Sequence, residues 1–325
     1  MMRAVVYDAH GAPDVLRMER LPIPECHRKG IVLRVAFASV EGGDLLDRSG
    51  NFAPLENQPL IIGRQAAGTI VAVGSEAAPF AVGQRVVAVR PNGSHAEYFA
   101  APARTSWLIP DGLSMEKAAA LPVAFATAHD ALHHYGRVQP GEDVCIQAGA
   151  SGVGIAAIQL ARRSGARRII ATGSSAERLG RLAPFGADYT INYSKEDFVA
   201  EILRITEGKG VDVLLDTIGG ESLHGSLQSM ARSGRLVAIG QASRAPLIVD
   251  LKALYAKGIV LSGFKLDITN ARIHAAVSGM LEAAARDELD VVVDRIFALE
   301  EAAAAHSYVE SRKAFGRVLV RLQTS

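Results

Sequence analysis

The sequence predicts an α/β protein, a mainly β region followed by a doubly wound parallel sheet of six strands. Three observations predict it. To about residue 122, short Val- and Ala-rich runs are separated by Gly and Pro. From about 123 to 264, six apolar runs alternate with stretches of helical periodicity. Between the first of these runs and its helix lies "QAGASGVGIAAIQL", residues 147–160, a glycine-rich turn.

The early elements are "RAVVYDA", "GIVLRVAFASV", "GTIVAVG", "RVVAVR" and "HAEYFAA", each a short run bounded by turn residues. In the second region "EDVCIQA" is a strand and Gly152–Arg163 a helix. "RRIIAT" is a strand and Ala176–Leu182 a helix. "DYTINY" is the third strand, and Phe198, Ile202 and Ile205 mark the helix after it. "VDVLLDTIG" is the fourth, followed by a helix through Leu223, Leu227 and Met230. "GRLVAIG" and "GIVLSGF" close the series. Continuous apolar strands of this kind are buried on both faces. After residue 266 a helix reads through "RIHAAVSGMLEAAARD", "LEEAAAAH" is a further helix, and "GRVLVRL" is a strand. This tail is too short to fold alone and is expected to return to the N-terminal region. The predicted domains are therefore 1–122 with 267–325, and 123–266.

The bulk properties exclude several classes. The chain has 325 residues, 49% of them apolar, enough for about two cores. A net charge of +1 gives no field to attract nucleic acid. Cys26 and Cys145 are far apart and form neither a disulfide framework nor a metal spacing, which fits a reducing compartment. "MMRAVVYDAHG" lacks the pattern of a signal peptide, and no apolar window approaches about 18 residues. A cytoplasmic protein that neither spans nor binds a membrane is the expectation.

The glycine turn reads G-x-x-G-x-G from Gly149, short of the full G-x-G-x-x-G. Its position, after a strand and opening a helix in the first βαβ unit, points to a dinucleotide pyrophosphate. NAD sites place an acid at the end of the second strand, for the ribose diol. Here that end is Thr172, Gly173, Ser174 and Ser175. Glu177 lies past the turn, and Arg178 and Arg181 follow. Hydroxyls and an arginine suit a 2′-phosphate, so NADPH is the expected cofactor.

Other chemistries fit poorly. His129 and His133 in "HDALHH" are spaced i, i+4, but there is no third ligand nearby and no H-E-x-x-H. Ser151 lies in G-A-S-G-V, which fails G-x-S-x-G at its last position. No local acid/base pair stands out, as suits hydride transfer, where the cofactor carries the chemistry.

The segments "MRAVVYDAHGAPDVL", "GRQAAGTIVAVG", "AAALPVAFATAHDAL", "AGASGVGIAAIQLA", "FGADYTINY", "GKGVDVLLDTIGG" and "GRLVAIG" together resemble the medium-chain dehydrogenase/reductase superfamily. More narrowly, the chain resembles its zinc-independent quinone oxidoreductase branch, which includes zeta-crystallin. The resemblance runs nearly end to end. It implies a GroES-like β-barrel domain and a Rossmann domain, with the cofactor in the cleft between them. It places Ser151, Gly152, Val153 and Gly154 on the pyrophosphate, and Ser174, Arg178 and Tyr193 on the 2′-phosphate. Thr127 falls near the nicotinamide. Ile218, Gly240 and Gln241 end the fourth and fifth strands, and Phe264 and Lys265 follow the last.

Departures from the family pattern shape the acceptor side. Zinc-dependent relatives have a Cys in the region of "SVEGGD" and a His in the segment that reads "GRQ" here, Gly63–Gln65. This chain has neither, so no metal is expected. The branch commonly has Asn at Glu41, Tyr at Phe52 and Glu at Gln65. Glu41, Phe52 and Gln65 are the expected substrate-pocket residues, and Glu41 and Thr127 the catalytic candidates. Glu41 reads equally as a pocket acid or as a salt-bridged structural residue. The resemblance implies hydride transfer from NADPH to a quinone or related conjugated carbonyl. The alternatives are an enone or alkenal reductase and a non-catalytic NADPH-binding protein. Branch members are commonly homodimers or homotetramers, and "GIVLSGF" offers a sheet edge for such pairing.

Overall fold

The six apolar runs of the second region form one parallel sheet. In chain order its strands are Asp143–Ile146, Arg168–Gly173, Tyr189–Asn192, Val211–Asp216, Met230–Ala238 and Val260–Gly263, and in space they run 3-2-1-4-5-6. The order reverses between the first and fourth strands, and ligands bind at the carboxyl ends beside such a reversal. Val144, Cys145, Ile146, Ile169, Ile170 and Leu214 are almost fully buried, as strands covered on both faces require. Helices Gly152–Arg163, Ala176–Gly180, Phe198–Ile205, Ser222–Gln228 and Leu251–Lys257 intervene. Asp197 and Asp250 cap two of them by accepting from backbone amides of the first turn. The second helix stops at Gly180 instead of Leu182. Gly180 is a poor helix former, and Pro184 disfavours helical backbone in the residue before it.

This computed structural model describes residues 1–51, 55, 59–220, 222–240, 242–243, 245–246 and 248–322. They form two compact units, Ala124–Asp267 and Met1–Val123 with Ile268–Ser325.

The unit formed by both chain ends is mainly β. A three-stranded antiparallel sheet pairs Arg17–Leu21, Met2–Tyr7 and Leu60–Ile61. A seven-stranded sheet runs Val293–Ala298, Arg317–Arg321, Gly30–Ser39, Gln65–Val73, Arg85–Val89 and Ser106–Leu108, with Tyr98–Pro102 also on Gly30–Ser39. The C-terminal strand does return, pairing Leu319 with Ser39 and Arg321 with Phe37. Leu33, Val35, Ile70, Val86, Phe99 and Val320 make one core. Helices Ala271–Ala285 and Ala302–Glu310 complete the returning segment. No helix among the described residues is long and apolar enough to cross a membrane.

Candidate active site

The glycine turn is built to hold an anion. Ser151 is the N-cap of Gly152–Arg163, and its Oγ accepts from the Gly154 amide at 3.0 Å. That bond leaves the hydroxyl hydrogen free to donate outward. The Gly152 and Val153 amides open the helix, where no residue four back can accept from them. With the helix dipole they favour a phosphate oxygen. Ala148 enters the turn in left-handed conformation (φ 52°). A Cβ on Gly154 would lie 2.4 Å from the Ala148 carbonyl oxygen and 2.6 Å from that of Gly149. Only glycine permits that closure, so the residues present fit a pyrophosphate.

The second strand ends in buried Thr172, then Gly173 and exposed Ser174. Gly173 pairs with Asn192, and the Tyr193 amide donates to the Gly173 carbonyl at 3.1 Å. Parallel pairing therefore brings Tyr193, 38% exposed, beside the Gly173–Ser174 end. Ser175 caps the next helix through the Arg178 amide, which sets Arg178 half-buried in its first turn. Ser174, Arg178 and Tyr193 thus lie on adjoining segments, and the strand end carries no carboxylate.

Three further strand ends lie along the same carboxyl edge, on the other side of the first strand. Ile218 and Gly240 are half-buried, and Gln241 lies outside the described residues. The Phe264 amide donates to Ala238 at 2.9 Å, and its ring stands edge-on to Tyr135 at 5.4 Å. Lys265 beyond it is exposed. Thr127 is 7% exposed within helix Pro122–Asp130. Sequence reasoning missed Asp216, fully buried at the end of the fourth strand, which accepts from the Ile218 and Gly219 amides. The available signal was an Asp ending an apolar strand shortly before Gly219–Gly220.

In the β unit, Glu41 is the N-cap of helix Gly42–Arg48 and is 3% exposed. Its carboxylate is ion-paired with Arg317, whose Nη2 also donates to Ser39 Oγ at 2.6 Å and to the Val40 carbonyl at 3.2 Å. Of the two readings left open for Glu41, the geometry is that of the salt-bridged residue. The Glu41 amide donates to Asp44 at 2.8 Å. Burial pushes the Asp44 carboxyl up to about 8, although Arg64 opposes the shift. Arg64 is ion-paired with Asp47 and lies 3.4 Å from Asp44. Gln65 is fully buried, and both the nitrogen and the oxygen of its amide bond to backbone. Its Nε2 donates to Ala119, and its Oε1 accepts from Val123 at 2.7 Å. It thereby joins the helix Met115–Ala120 to the start of the helix that carries Thr127. Phe52 lies outside the described residues.

His129 and His133 do face each other, with ring centroids 4.5 Å apart. Both nitrogens of His133 are engaged, by the His129 carbonyl and by Ser164 Oγ, each at 2.9 Å. Among the described residues no group of three or more His, Cys, Asp or Glu could hold a metal.

Residues 27–111 match the family described as alcohol dehydrogenase GroES-like domain, and residues 152–286 the family described as zinc-binding dehydrogenase. A probable quinone oxidoreductase of Schizosaccharomyces pombe is 31% identical over 315 residues, 95% of this chain and 94% of that protein. A phenolphthiocerol/phthiocerol polyketide synthase protein of Mycobacterium tuberculosis is 32% identical over 97% of this chain, which spans 14% of that protein's length. Among solved structures, Escherichia coli quinone oxidoreductase complexed with NADPH matches with a TM-score of 0.92 and 28% identity, over 98% of this chain and all of that one. The residues at the expected ligand positions do not fit the zinc that one family description names. Glu41 is committed to Arg317 and Arg64 to Asp47, and two guanidiniums there would repel a dication.

Proposed function

Since the chain belongs to the quinone oxidoreductase branch of the medium-chain dehydrogenase/reductase superfamily, we propose that it is an NADPH-dependent reductase of quinones or related conjugated carbonyls that works without a metal. One observation carries the choice of coenzyme. The second strand ends at Gly173 and runs on into Ser174 with no carboxylate, and Tyr193 is bonded alongside at Gly173.

The Gly152 and Val153 amides and the Ser151 hydroxyl hold the pyrophosphate, in the turn that Gly154 closes. Ser174, Arg178 and Tyr193 hold the 2′-phosphate by charge and hydrogen bonds. Thr127, Ile218, Gly240, Phe264 and Lys265 border the nicotinamide. The bound coenzyme supplies hydride. Glu41 does not serve as the proton donor, because giving up its pairing would strand the buried Arg317 guanidinium. A reduced quinone delocalises its charge, so solvent can complete the reaction. A second copy of the chain pairs along the Val260–Gly263 edge.

The test is NADPH consumption with ortho-quinones, para-quinones and 2-alkenals side by side. Quinones are expected to turn over fastest. Turnover confined to 2-alkenals would transfer the assignment to an alkenal reductase. Tight NADPH binding with no oxidation across the panel would leave a binding protein.

A further inference from the structure

We propose that Asp216 sets the redox preference of the coenzyme site, its buried negative charge favouring the oxidised, cationic nicotinamide over the reduced one. The inference rests on the coenzyme reading above and adds a role for a residue that the reading does not use.

Asp216 ends the fourth strand and is 0% exposed. One carboxylate oxygen accepts from the Ile218 and Gly219 amides, both at 2.8 Å. Left-handed backbone at Gly219 and Gly220 (φ 64° and 62°) lets the loop curl over it. The other oxygen lies 3.2 Å from the Ser226 hydroxyl, whose single hydrogen is shared with the Ser222 carbonyl at 2.9 Å. Ser226 Oγ in turn accepts from Gln147 Nε2 at 2.7 Å, where the glycine turn begins. The Asp216 carbonyl accepts from the Ile239 amide at 2.7 Å, at the end of the fifth strand. One residue thus ties the first, fourth and fifth strand ends, the edge on which such sheets bind coenzyme.

Every one of these partners is neutral, and among the described residues none forms an ion pair with Asp216. The two amide bonds hold the carboxylate without supplying a counter-charge. Burying a charge with no counter-charge is costly. An asparagine would offer the same oxygen to both amides at less cost, so bonding alone does not account for the carboxylate. Its field does. A nicotinamide held at this edge would become cationic on giving up hydride, the acceptor taking that hydride and a proton from solvent. A fixed negative charge behind that edge stabilises the product side of this change.

The experiment is calorimetric measurement of dissociation constants for NADP+ and NADPH. Asp216→Asn keeps the acceptor and removes the charge. It is expected to weaken NADP+ relative to NADPH by about tenfold. Ser226→Ala loses a hydrogen bond but keeps the charge, and its ratio should match the unmodified protein. An unchanged ratio in Asp216→Asn, or an equal shift in both variants, overturns the proposal. If Asp216→Asn does not fold, the unmodified protein decides. NADP+ bound at least as tightly as NADPH supports the proposal, and NADPH bound more tightly overturns it. Failure of the unmodified protein to bind either coenzyme would instead remove the coenzyme reading, and this inference with it.

Discussion

Glu41 and Arg317 are 276 positions apart in sequence and share one buried ion pair. No local pattern announces such a pairing, which is why the sequence left two roles open for Glu41. Gln65 is a similar case, since its partners Ala119 and Val123 lie 54 and 58 residues away. The Ser151–Gly154 turn was legible because every residue that builds it is within a few positions of the next. The pairing makes a prediction that separates structure from catalysis. Glu41→Gln leaves the Arg317 guanidinium buried and uncompensated, which should cost about 3 to 5 kcal/mol of stability. Quinone reduction by the folded variant should fall far less than about 10³-fold, because solvent supplies the proton. Urea unfolding and steady-state rates, measured on one preparation, check both halves. A collapse in rate without a loss of stability would return Glu41 to the role of an acid.

Secondary-structure elements were legible where their signal is periodic and local. All six parallel strands appear, in the order that a doubly wound sheet requires. The helix expected to reach Leu182 did not, because its end is set by Gly180 and Pro184 and not by apolar spacing. The last strand, Val260–Gly263, has one neighbour among the described residues, and Val260 is 43% exposed. In the helix before it Leu251 and Tyr255, one helical turn apart, are 69% and 72% exposed. An open strand edge together with exposed apolar side chains is a liability unless another chain covers it. The protein should therefore run as a dimer or a tetramer in light scattering. Val260→Lys with Tyr255→Glu should yield monomers of unchanged circular dichroism. An unmodified protein that is monomeric at micromolar concentration would dispose of this interface.

Across the whole molecule, burial of ionisable groups sets how stability responds to pH. His95 and His306 are both 0% exposed, with ring centroids 5.8 Å apart. Burial pushes His95 down to about 4 and His306 well below its ordinary value, the second also repelled by His95 and Arg48. Below about pH 6.5 the unfolded chain binds protons that these folded imidazoles refuse, so each histidine removes about 1.4 kcal/mol per pH unit on acidification. Asp44 acts in the opposite sense. Its folded carboxyl, pushed up to about 8 by burial, keeps a proton that the unfolded chain releases above about pH 4. Its contribution is full below that point and is lost as pH rises through 8, and Asp47, also raised by burial, works the same way. Between pH 6.5 and 4 the two histidines outweigh Asp44 and stability falls with acid. Between 6.5 and 8 Asp44 acts without them and stability falls with base. Urea midpoints taken from pH 4.5 to 8.5 should peak between about 6 and 7. His306→Leu should flatten the acid limb, and Asp44→Asn the alkaline limb. Midpoints that stay level across this range would mean that neither the buried imidazoles nor the buried carboxyl keeps its folded environment in solution.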